Sequence, residues 1–220
     1  MTERPILFSG SMVRAILEGR KTQTRRVIKP QFGSLWGCGV RYGENVVSAN
    51  VDIMTEYGTW KWLRCPYGQP DDLLWVREMA KLRAYGPGSC EFDLAYPADE
   101  SVKAFCDTDH GPYKMTSYTP SIHMPRWASR LTLRITSVIV HKIQQIGDDE
   151  IMAEGIIAHD KGGEPRIGRI MYAAREGNHC EWELTGRAAF ARLWDSINAK
   201  RGYSWESNPW VWAITFERVV

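Results

Sequence analysis

Residues 11–28 read SMVRAILEGRKTQTRRVI and predict a helix, a tight turn and a strand in immediate succession. Ser11 is suited to cap the helix, whose apolar residues recur at helical spacing. These residues are Met12, Ala15 and Ile16. Gly19 then ends the helix, because glycine adopts the left-handed conformation of a helix C-terminus without strain. The stretch Lys21 to Ile28, rich in Thr and Val with period-two alternation, predicts the strand.

The rest of the chain predicts further strands and two more helices. Arg130 to His141 alternates apolar and polar residues and is the clearest strand, which we expect to be central. Other predicted strands are Leu73 to Arg77, Pro209 to Val219 and a hairpin formed by Val46 to Val51 and Thr59 to Leu63. Gly147 to Gly155 and Thr185 to Ile197 predict helices. Together these elements predict an α+β fold with a small, closed or nearly closed β-barrel.

Two stretches interrupt this pattern. Residues 79–124 are rich in Pro, Gly, Asp and Ser with little periodicity, and residues 158–182 are rich in glycine and basic residues. Both stretches predict irregular insertions at the surface. Because 220 residues leave little room for two full domains, we interpret residues 1–220 as one domain with insertions at about 79–124 and 158–182.

Composition restricts the function classes. Lysine and arginine number 28 against 26 acidic residues, so the net charge is +2 and nucleic-acid contact requires local clusters of positive charge. The longest apolar runs are too short to cross a membrane, and MTERPILF is not an apolar signal segment. Five cysteines without a CxxC pair predict a reduced, cytoplasmic protein. No P-loop or dinucleotide-type glycine loop is present, so no cofactor of these kinds is expected.

A metal site is weakly indicated. Cys38 and Cys65 with His123 or His179 could form a zinc site, but their spacings match no standard pattern, and we expect no metal. The five histidines lie in no nucleophile motif that we can name, and none is given a role.

Four motifs carry a resemblance to a known family. In chain order they are ILEGRKTQTRR (16–26), QPDDLLWVRE (69–78), the strand Arg130 to Val140 followed by GDDEIMAEG (147–155), and the closing strand Trp210 to Glu217. The chain resembles ASCH domains of the PUA-like superfamily, whose first helix ends in a Gly-(Arg/Lys)-Lys-Thr turn. CPYGQP, MPRWASR and NPWVW are similar to the phage- and prophage-encoded branch. Asp71-Asp72 replaces the family's usual Gly-Asp, which predicts a rearranged turn.

The resemblance implies a PUA-like fold, a small β-barrel with flanking helices around a cleft, and a ligand that is RNA or a modified base. Family members similar to a small bacterial amidohydrolase cleave the acyl amide of N4-acetylcytidine with a Lys, a Thr and a Glu. Carried over by motif, these catalytic residues fall on Lys21, Thr24 and Glu154. Cleavage of single-stranded RNA is associated with another member, so a metal-independent ribonuclease is an alternative activity.

Hydrolysis of an N-acyl base needs a nucleophile, a group that takes its proton and positive charge beside the oxyanion. Thr24 is the candidate nucleophile, and Lys21 is the candidate base if its pKa is lowered. Three neighbouring arginines favour a lower pKa: Arg20, Arg25 and Arg26. The carboxylate of Glu154 would orient Lys21 but raise its pKa. Strict alternation places Lys21 and Thr24 on opposite faces of a strand, so they meet only if the turn after Gly19 is bent or bulged.

Further candidates for ligand binding combine arginine with tryptophan. They are Arg126, Trp127, Ser129 and Arg130 before the central strand, and Trp75 with Arg77 on one face of an earlier strand. In such clusters arginine can hold a phosphate while an indole stacks on a base. The alternative for the cluster before the central strand is that Trp127 is a core residue and that the arginines pair with acidic residues. The alternative for KTQTRR is a solvated strand whose basic residues contact phosphates.

The sequence therefore predicts an ASCH domain that binds RNA or a modified nucleoside in a basic cleft and is a candidate amidohydrolase of the N4-acetylcytidine type. The alternative is a non-catalytic phage or prophage module that binds nucleic acid or a host or phage protein. Convergence of Lys21, Thr24 and Glu154 in an open pocket favours the enzyme, whereas a flat basic face with these residues dispersed favours the binder.

Overall fold

The computed structural model describes residues 1–31, 50–54, 60–85, 91–106, 119–160, 170–174 and 182–219. In chain order the strands are β1 (Glu3–Leu7), β2 (Gln23–Val27), β3 (Asn50–Met54), β4 (Trp60–Arg64), β5 (Leu73–Arg77), β6 (Lys81–Tyr85), β7 (Glu91–Tyr96), β8 (Ser101–Cys106), β9 (Thr132–Lys142), β10 (Ile157–Asp160), β11 (Ile170–Ala173) and β12 (Trp210–Val219). The helices are α1 (Gly10–Leu17), α2 (Asp148–Ala153) and α3 (Gly186–Asn198).

A five-stranded sheet with the order β1-β5-β9-β12-β2 forms the centre of the fold. Strand β9 lies in its middle and pairs antiparallel with β5 and β12, so the predicted central strand is confirmed. Leu133 and Ile135 are buried on one face of β9, whereas Arg134 and Thr136 are exposed on the other. This burial follows the period-two alternation of the sequence, because successive side chains of a strand point to opposite faces.

The architecture is α+β, as predicted, but the described strands do not close into a barrel. Strands β1 and β2 are the two edges of the five-stranded sheet, and β1 pairs only with β5. A side chain connects these edges, since the Arg26 guanidinium donates a hydrogen bond of 2.6 Å to the carbonyl oxygen of Leu7. The edges therefore approach each other without a backbone ladder between them.

The ends of the helices agree with the sequence in part. Gly19 ends α1 with φ of +75°, and the Thr185 hydroxyl caps α3 by accepting a 3.1 Å hydrogen bond from the Ala188 amide. The prediction that Ser11 caps the first helix is wrong. Helix α1 begins at Gly10 with Ser9 in the cap position, and the Ser9 and Ser11 hydroxyls lie 3.1 Å apart.

The region 79–124 is more regular than predicted. Strands β6, β7 and β8 form an antiparallel sheet within it. Phe92, Leu94 and Tyr96 alternate along β7 and point into a small core together with Met124. The expectation of an irregular stretch is therefore wrong for its described residues, because the period-two signal of β7 is short and is surrounded by turn-forming residues.

The other irregular regions also contain paired strands. β10 and β11 form an antiparallel pair within the predicted insertion 158–182 and just before it. β3 and β4 form the predicted hairpin, although Val46 to Ala49 of its first predicted strand lie outside the described residues. The insertion boundaries remain predictions.

The Asp71-Asp72 turn keeps a conformation that glycine favours. Asp71 has φ of +70°, in the left-handed region that Asp tolerates better than most residues. The Asp72 carboxylate accepts hydrogen bonds from the backbone amides of Thr2 at 2.6 Å and Gln69 at 3.2 Å. Asp at the first position therefore supplies the backbone shape, and Asp72 fastens the N-terminus to the turn that opens β5.

Gly155, which follows Glu154 after α2, is packed closely against α1 and Lys21. Its φ is +92°, and a Cβ built there would lie 3.2 Å from the Cβ atoms of both Ala15 and Lys21. We expect Gly155→Ala to lower the free energy of unfolding by roughly 2–4 kcal/mol, since backbone strain and overpacking add. Chemical denaturation measures this change.

Gly202→Ala is the matched control. Gly202 also has a positive φ, +84°, but apart from its two chain neighbours no atom of the described residues lies within 4 Å of a Cβ built there. Its substitution should carry only the backbone cost of about 1–2 kcal/mol. Equal destabilisation by the two variants would contradict close packing of Gly155 against Lys21.

Candidate functional site

Lys21 and Glu154 form a buried ion pair next to the turn that ends α1. The Lys21 ammonium donates to the Glu154 carboxylate at 2.6 Å and to the Glu154 carbonyl oxygen at 2.8 Å. The side chain of Lys21 is 0% exposed and that of Glu154 is 5% exposed. The two residues also form an isolated antiparallel backbone bridge. The turn after α1 and the end of α2 are thus joined through both main chain and side chains.

The alternation of a strand does not apply to Lys21. β2 begins at Gln23, and the backbone amide of Lys21 instead donates to the carbonyl oxygen of Ala15 at 3.0 Å. Thr24 lies within β2 and is buried. Across the part of the chain that the structure describes, no hydrogen bond joins the Thr24 hydroxyl to Lys21 or Glu154. The structure therefore brings Lys21 and Glu154 together, and Thr24 is not bonded to either of them.

Burial controls the pKa of Lys21. Removal from water lowers the pKa of this amine below its usual 10.5 and is the largest effect, the charge of Glu154 opposes it, and Arg26 and Arg25 lower it further. Arg20, which was expected to contribute, instead pairs with Glu18 and donates to the carbonyl oxygen of Gly155 at 3.2 Å.

Arg25 is committed to internal contacts. Its guanidinium donates to the Glu154 carboxylate at 3.1 Å, to the Gln23 side chain at 2.6 Å and to Nε2 of His141 at 3.2 Å. A carboxylate oxygen of Glu150 lies 2.9 Å from Nη2 and forms an ion pair that is poorly aligned for a hydrogen bond. With two carboxylates in contact, Arg25 holds Glu154 in place and has little capacity left for a ligand.

A cavity of about 370 Å³ opens beside this cluster. Thr24, Arg25 and Arg26 of β2 line it together with Glu154. The rest of the lining comes from β1, the end of β5, one face of α3 and the segments next to these elements: Pro5, Leu7, Met12, Val27, Lys29, Tyr67, Arg77, Phe190, Leu193, Trp194, Ile197, Asn198, Arg201 and Tyr203. Of the residues predicted to line a basic cleft, Thr24, Arg25, Arg26 and Glu154 line this cavity, whereas Lys21, Arg126 and Trp127 are not among its described lining residues.

Comparisons of the chain with family models, with curated proteins and with solved structures find no match. The similarity to ASCH domains therefore stays a prediction from the sequence motifs.

The cluster before the central strand lies away from the cavity. Arg126 pairs with Glu3, and the indole of Trp127 packs edge-on against Phe92 and Phe105 with ring centroids 5.7 and 5.4 Å apart. The Ser129 hydroxyl donates to the Val76 carbonyl oxygen at 2.8 Å. These contacts favour the structural alternative for this cluster over ligand binding.

Arg130 and Trp75 have structural contacts as well. The Arg130 guanidinium binds both carboxylate oxygens of Glu78, at 2.8 and 2.9 Å, and contacts Asp99 at 2.7 Å. Trp75 is buried, with the Arg77 guanidinium 4.8 Å from its ring centroid. Of the residues in the two clusters that combine arginine with tryptophan, Arg77 alone is among the described residues that line the cavity.

Several cavity residues escaped the sequence analysis. Tyr67, Lys29, Arg201 and Tyr203 line the cavity, and the Lys29 ammonium lies 5.4 Å from the ring centroid of Tyr203. The sequence Arg201-Gly202-Tyr203 follows shortly after the predicted helix Thr185 to Ile197. Its basic, glycine and aromatic residues could have indicated a turn that contacts a ligand. The contact between Lys29 and Tyr203 could not be predicted from the sequence, because the two residues are 174 positions apart.

In the described residues, no group of three or more His, Cys, Asp or Glu side chains is arranged to hold a metal ion. Cys38 and His179 of the considered zinc site lie outside those residues. None of the helices described is both long and apolar enough to span a membrane.

His141 links the site to the pH dependence of stability. Burial, and then the charge of Arg25, lower the pKa of His141 from 6.5 to about 4. Between these values the unfolded chain binds a proton that the folded protein does not, so stability falls as the pH decreases from 6.5 towards 4. The slope from this residue is at most about 1.4 kcal/mol per pH unit.

His141→Gln tests this contribution, because a glutamine oxygen can still accept the Arg25 hydrogen bond but does not titrate. Denaturant unfolding of both proteins between pH 4 and 7 gives the comparison. We expect the wild type to lose more stability than the variant as the pH falls, and parallel pH profiles would contradict a half-buried His141 that is neutral in the folded protein.

Proposed function

We propose that this chain is an ASCH-type protein with a PUA-like fold that binds a modified nucleoside in the cavity and hydrolyses the N-acyl amide of a cytidine-like base. The observation that carries the proposal is the 2.6 Å contact of the buried Lys21 ammonium with Glu154, a residue that lines the cavity together with Thr24. An amine of lowered pKa that reaches a hydroxyl when substrate is bound can activate that hydroxyl as a nucleophile.

The cavity suits a nucleoside in size and lining. Its volume of about 370 Å³ lies within the roughly 300–1,000 Å³ of small-molecule sites. The rings of Tyr67 and Tyr203 combine an apolar face with a polar group, which is the surface that a base and a ribose require. Leu193 and Ile197 of α3 add apolar contact on the remaining side.

The reaction proceeds in two steps. The Thr24 hydroxyl oxygen bonds to the amide carbonyl carbon while its proton passes to the neutral amine of Lys21. Collapse of the tetrahedral intermediate breaks the carbon–nitrogen bond, and the exocyclic amine leaves with the proton from Lys21. Water then attacks the acyl-threonine ester, Lys21 takes its proton and returns it to the Thr24 oxygen, and the carboxylic acid is released. Because catalytic hydrogen bonds often form only with substrate bound, the free protein need not join Thr24 to Lys21.

Glu154 and Arg25 position the base. Glu154 accepts from Lys21 with one carboxylate oxygen and from Arg25 with the other. Its negative charge stabilises the ammonium form of Lys21 that arises after proton transfer. Arg25, held by Glu150 and His141, prevents the Glu154 carboxylate from rotating away.

Thr24→Val is the sharpest test, because it replaces the hydroxyl by a methyl group of similar volume. No hydrogen bond of the Thr24 hydroxyl is lost among the described residues, so the free energy of unfolding should change by less than about 1 kcal/mol. Release of acetate from N4-acetylcytidine should fall by about a hundredfold or more. Thr22→Val, at an exposed position two residues earlier, is the matched control and should retain wild-type turnover.

Lys21→Met and Glu154→Gln should abolish the same activity, with denaturation curves recorded to separate loss of chemistry from loss of folding. Full turnover by Thr24→Val would exclude the threonine as nucleophile. No acetate release by the wild-type protein would refute this substrate and favour the second candidate function, which is binding without catalysis.

The rate should rise with pH, because only neutral Lys21 can accept the proton. Below the lowered pKa of Lys21, kcat/KM for N4-acetylcytidine should increase about tenfold per pH unit and then level off. The assay spans pH 5 to 9 with the uncatalysed rate subtracted. Lys21→Arg keeps the charge but cannot deprotonate, so it should be inactive at every pH. A rate that falls as the pH rises would contradict the role of Lys21 as the base.

Nucleic-acid binding without catalysis is the second candidate, as expected for a phage or prophage module. Five cationic side chains line the cavity against the one carboxylate of Glu154, counted over the described residues: Arg25, Arg26, Lys29, Arg77 and Arg201. This excess of positive charge suits a phosphate backbone whether or not Thr24 reacts.

A further inference from the structure

Four of the cationic groups that line the cavity lack an acidic partner. They are Arg26, Lys29, Arg77 and Arg201. Within the described residues, no carboxylate lies within ion-pair distance of any of these four groups. Arg25, by contrast, contacts both Glu150 and Glu154. The protein thus balances the charge of the proposed reaction centre and leaves the adjoining wall positive.

Arg26, Arg77 and Arg201 line the same cavity. Arg26 donates to the carbonyl oxygen of Leu7, and Leu7 is the register partner of Arg77 between β1 and β5, so both arginines flank the same residue. Burial is the main cause that lowers the pKa of Arg26, the charges of Tyr67 and Glu154 oppose it, and the charge of Arg201, which lines the same cavity, lowers it further.

Unused donors accompany the unbalanced charge. The Nε atoms of Arg26 and Arg77 are buried and have no hydrogen-bond partner among the described residues. Both residues are half-buried, and cations that are partly removed from water around one cavity without an anion are unfavourable, since they also repel each other. An anionic ligand removes both penalties, and the planar guanidinium matches phosphate oxygens in geometry.

We propose that Arg26, Arg77 and Arg201 form a phosphate site, so that the natural ligand is a phosphorylated nucleoside rather than a free one. This inference rests on the proposed function for the position of the base at Thr24. Lys29, above the ring of Tyr203, adds charge at the edge of the site. The phosphate belongs to a mononucleotide or to an RNA strand, which present the same group to these arginines.

Binding measurements on the wild-type protein separate these sources without turnover. The probes are cytidine, cytidine 5′-monophosphate, cytidine 3′-monophosphate and the RNA trinucleotide CpCpC, titrated by calorimetry at low salt. We expect at least one phosphorylated probe to bind about tenfold or more tightly than cytidine. This advantage should shrink as salt is added, because screening weakens charge interactions more than stacking. Preference for CpCpC over both monophosphates identifies RNA as the source, and the opposite preference identifies a nucleotide.

Arg201→Gln and Arg77→Gln should each reduce the affinity for the phosphorylated probe by about tenfold and change that for cytidine less than about twofold. Arg201 is exposed, so its replacement does not endanger folding. Arg134→Gln is the matched control, since it removes one exposed positive charge outside the cavity and should leave all affinities unchanged.

Equal affinity for cytidine and every phosphorylated probe overturns the phosphate site, and acetate release from N4-acetylcytidine by the same protein would still support the proposed hydrolysis. Binding that depends on Arg77 and Arg201 without acetate release from N4-acetylcytidine or its 5′-monophosphate establishes the phosphate site and refutes the hydrolysis. Equal loss of affinity in Arg134→Gln also overturns the site, because the effect is then one of overall charge. Failure of every probe to bind also overturns the phosphate site, and acetate release from N4-acetylcytidine then decides the proposed hydrolysis separately.

Discussion

The buried charge cluster of Lys21, Glu154 and Arg25 is the constraint on which the site depends. Moving ions out of water costs several kcal/mol each, and that cost is offset only when their partners are held in good geometry. Glu154 supplies one oxygen to Lys21 and the other to Arg25, so the turn after α1, the strand β2 and the end of α2 must remain in register. Loss of a single partner leaves an uncompensated charge and typically costs about 3–5 kcal/mol. The catalytic geometry that we propose is therefore also a folding requirement.

Arginine has two distinct roles in this molecule, which differ in whether the guanidinium forms an ion pair with a carboxylate. Arg130 binds Glu78 and Asp99 and fastens the segment before β9 to the β6–β8 region. Arg26 and Arg77 line the cavity together with Glu154 but form no ion pair with a carboxylate of the described residues. An arginine that forms an ion pair within the protein contributes to structure, whereas an arginine that lines a cavity without an ion pair favours binding of an anionic ligand.

The candidate site was predictable to the extent that it depends on local sequence. The glycine turn at Gly19, the helix that leads to it and the strand that contains Thr24 follow from spacing and capping. The contacts of Arg126 with Glu3 and of Arg130 with Glu78 favour the structural alternative for the cluster from Arg126 to Arg130, and both partners are distant in sequence. Pairing across long separations leaves no local signature, so sequence alone could not distinguish these arginines from Arg26.

The sequence by itself determined the α+β composition, the central strand β9 and helix α3, because each rests on a periodicity of side chains within one element. It also indicated Lys21, Thr24 and Glu154 through short motifs. Only the tertiary structure decided that Lys21 is buried against Glu154 and that Lys29 meets Tyr203 across the cavity. It also decided that strands β1 and β2 remain edges of an open sheet. These features are contacts between segments distant in the chain, and their energies arise from burial and charge pairing that no single segment contains.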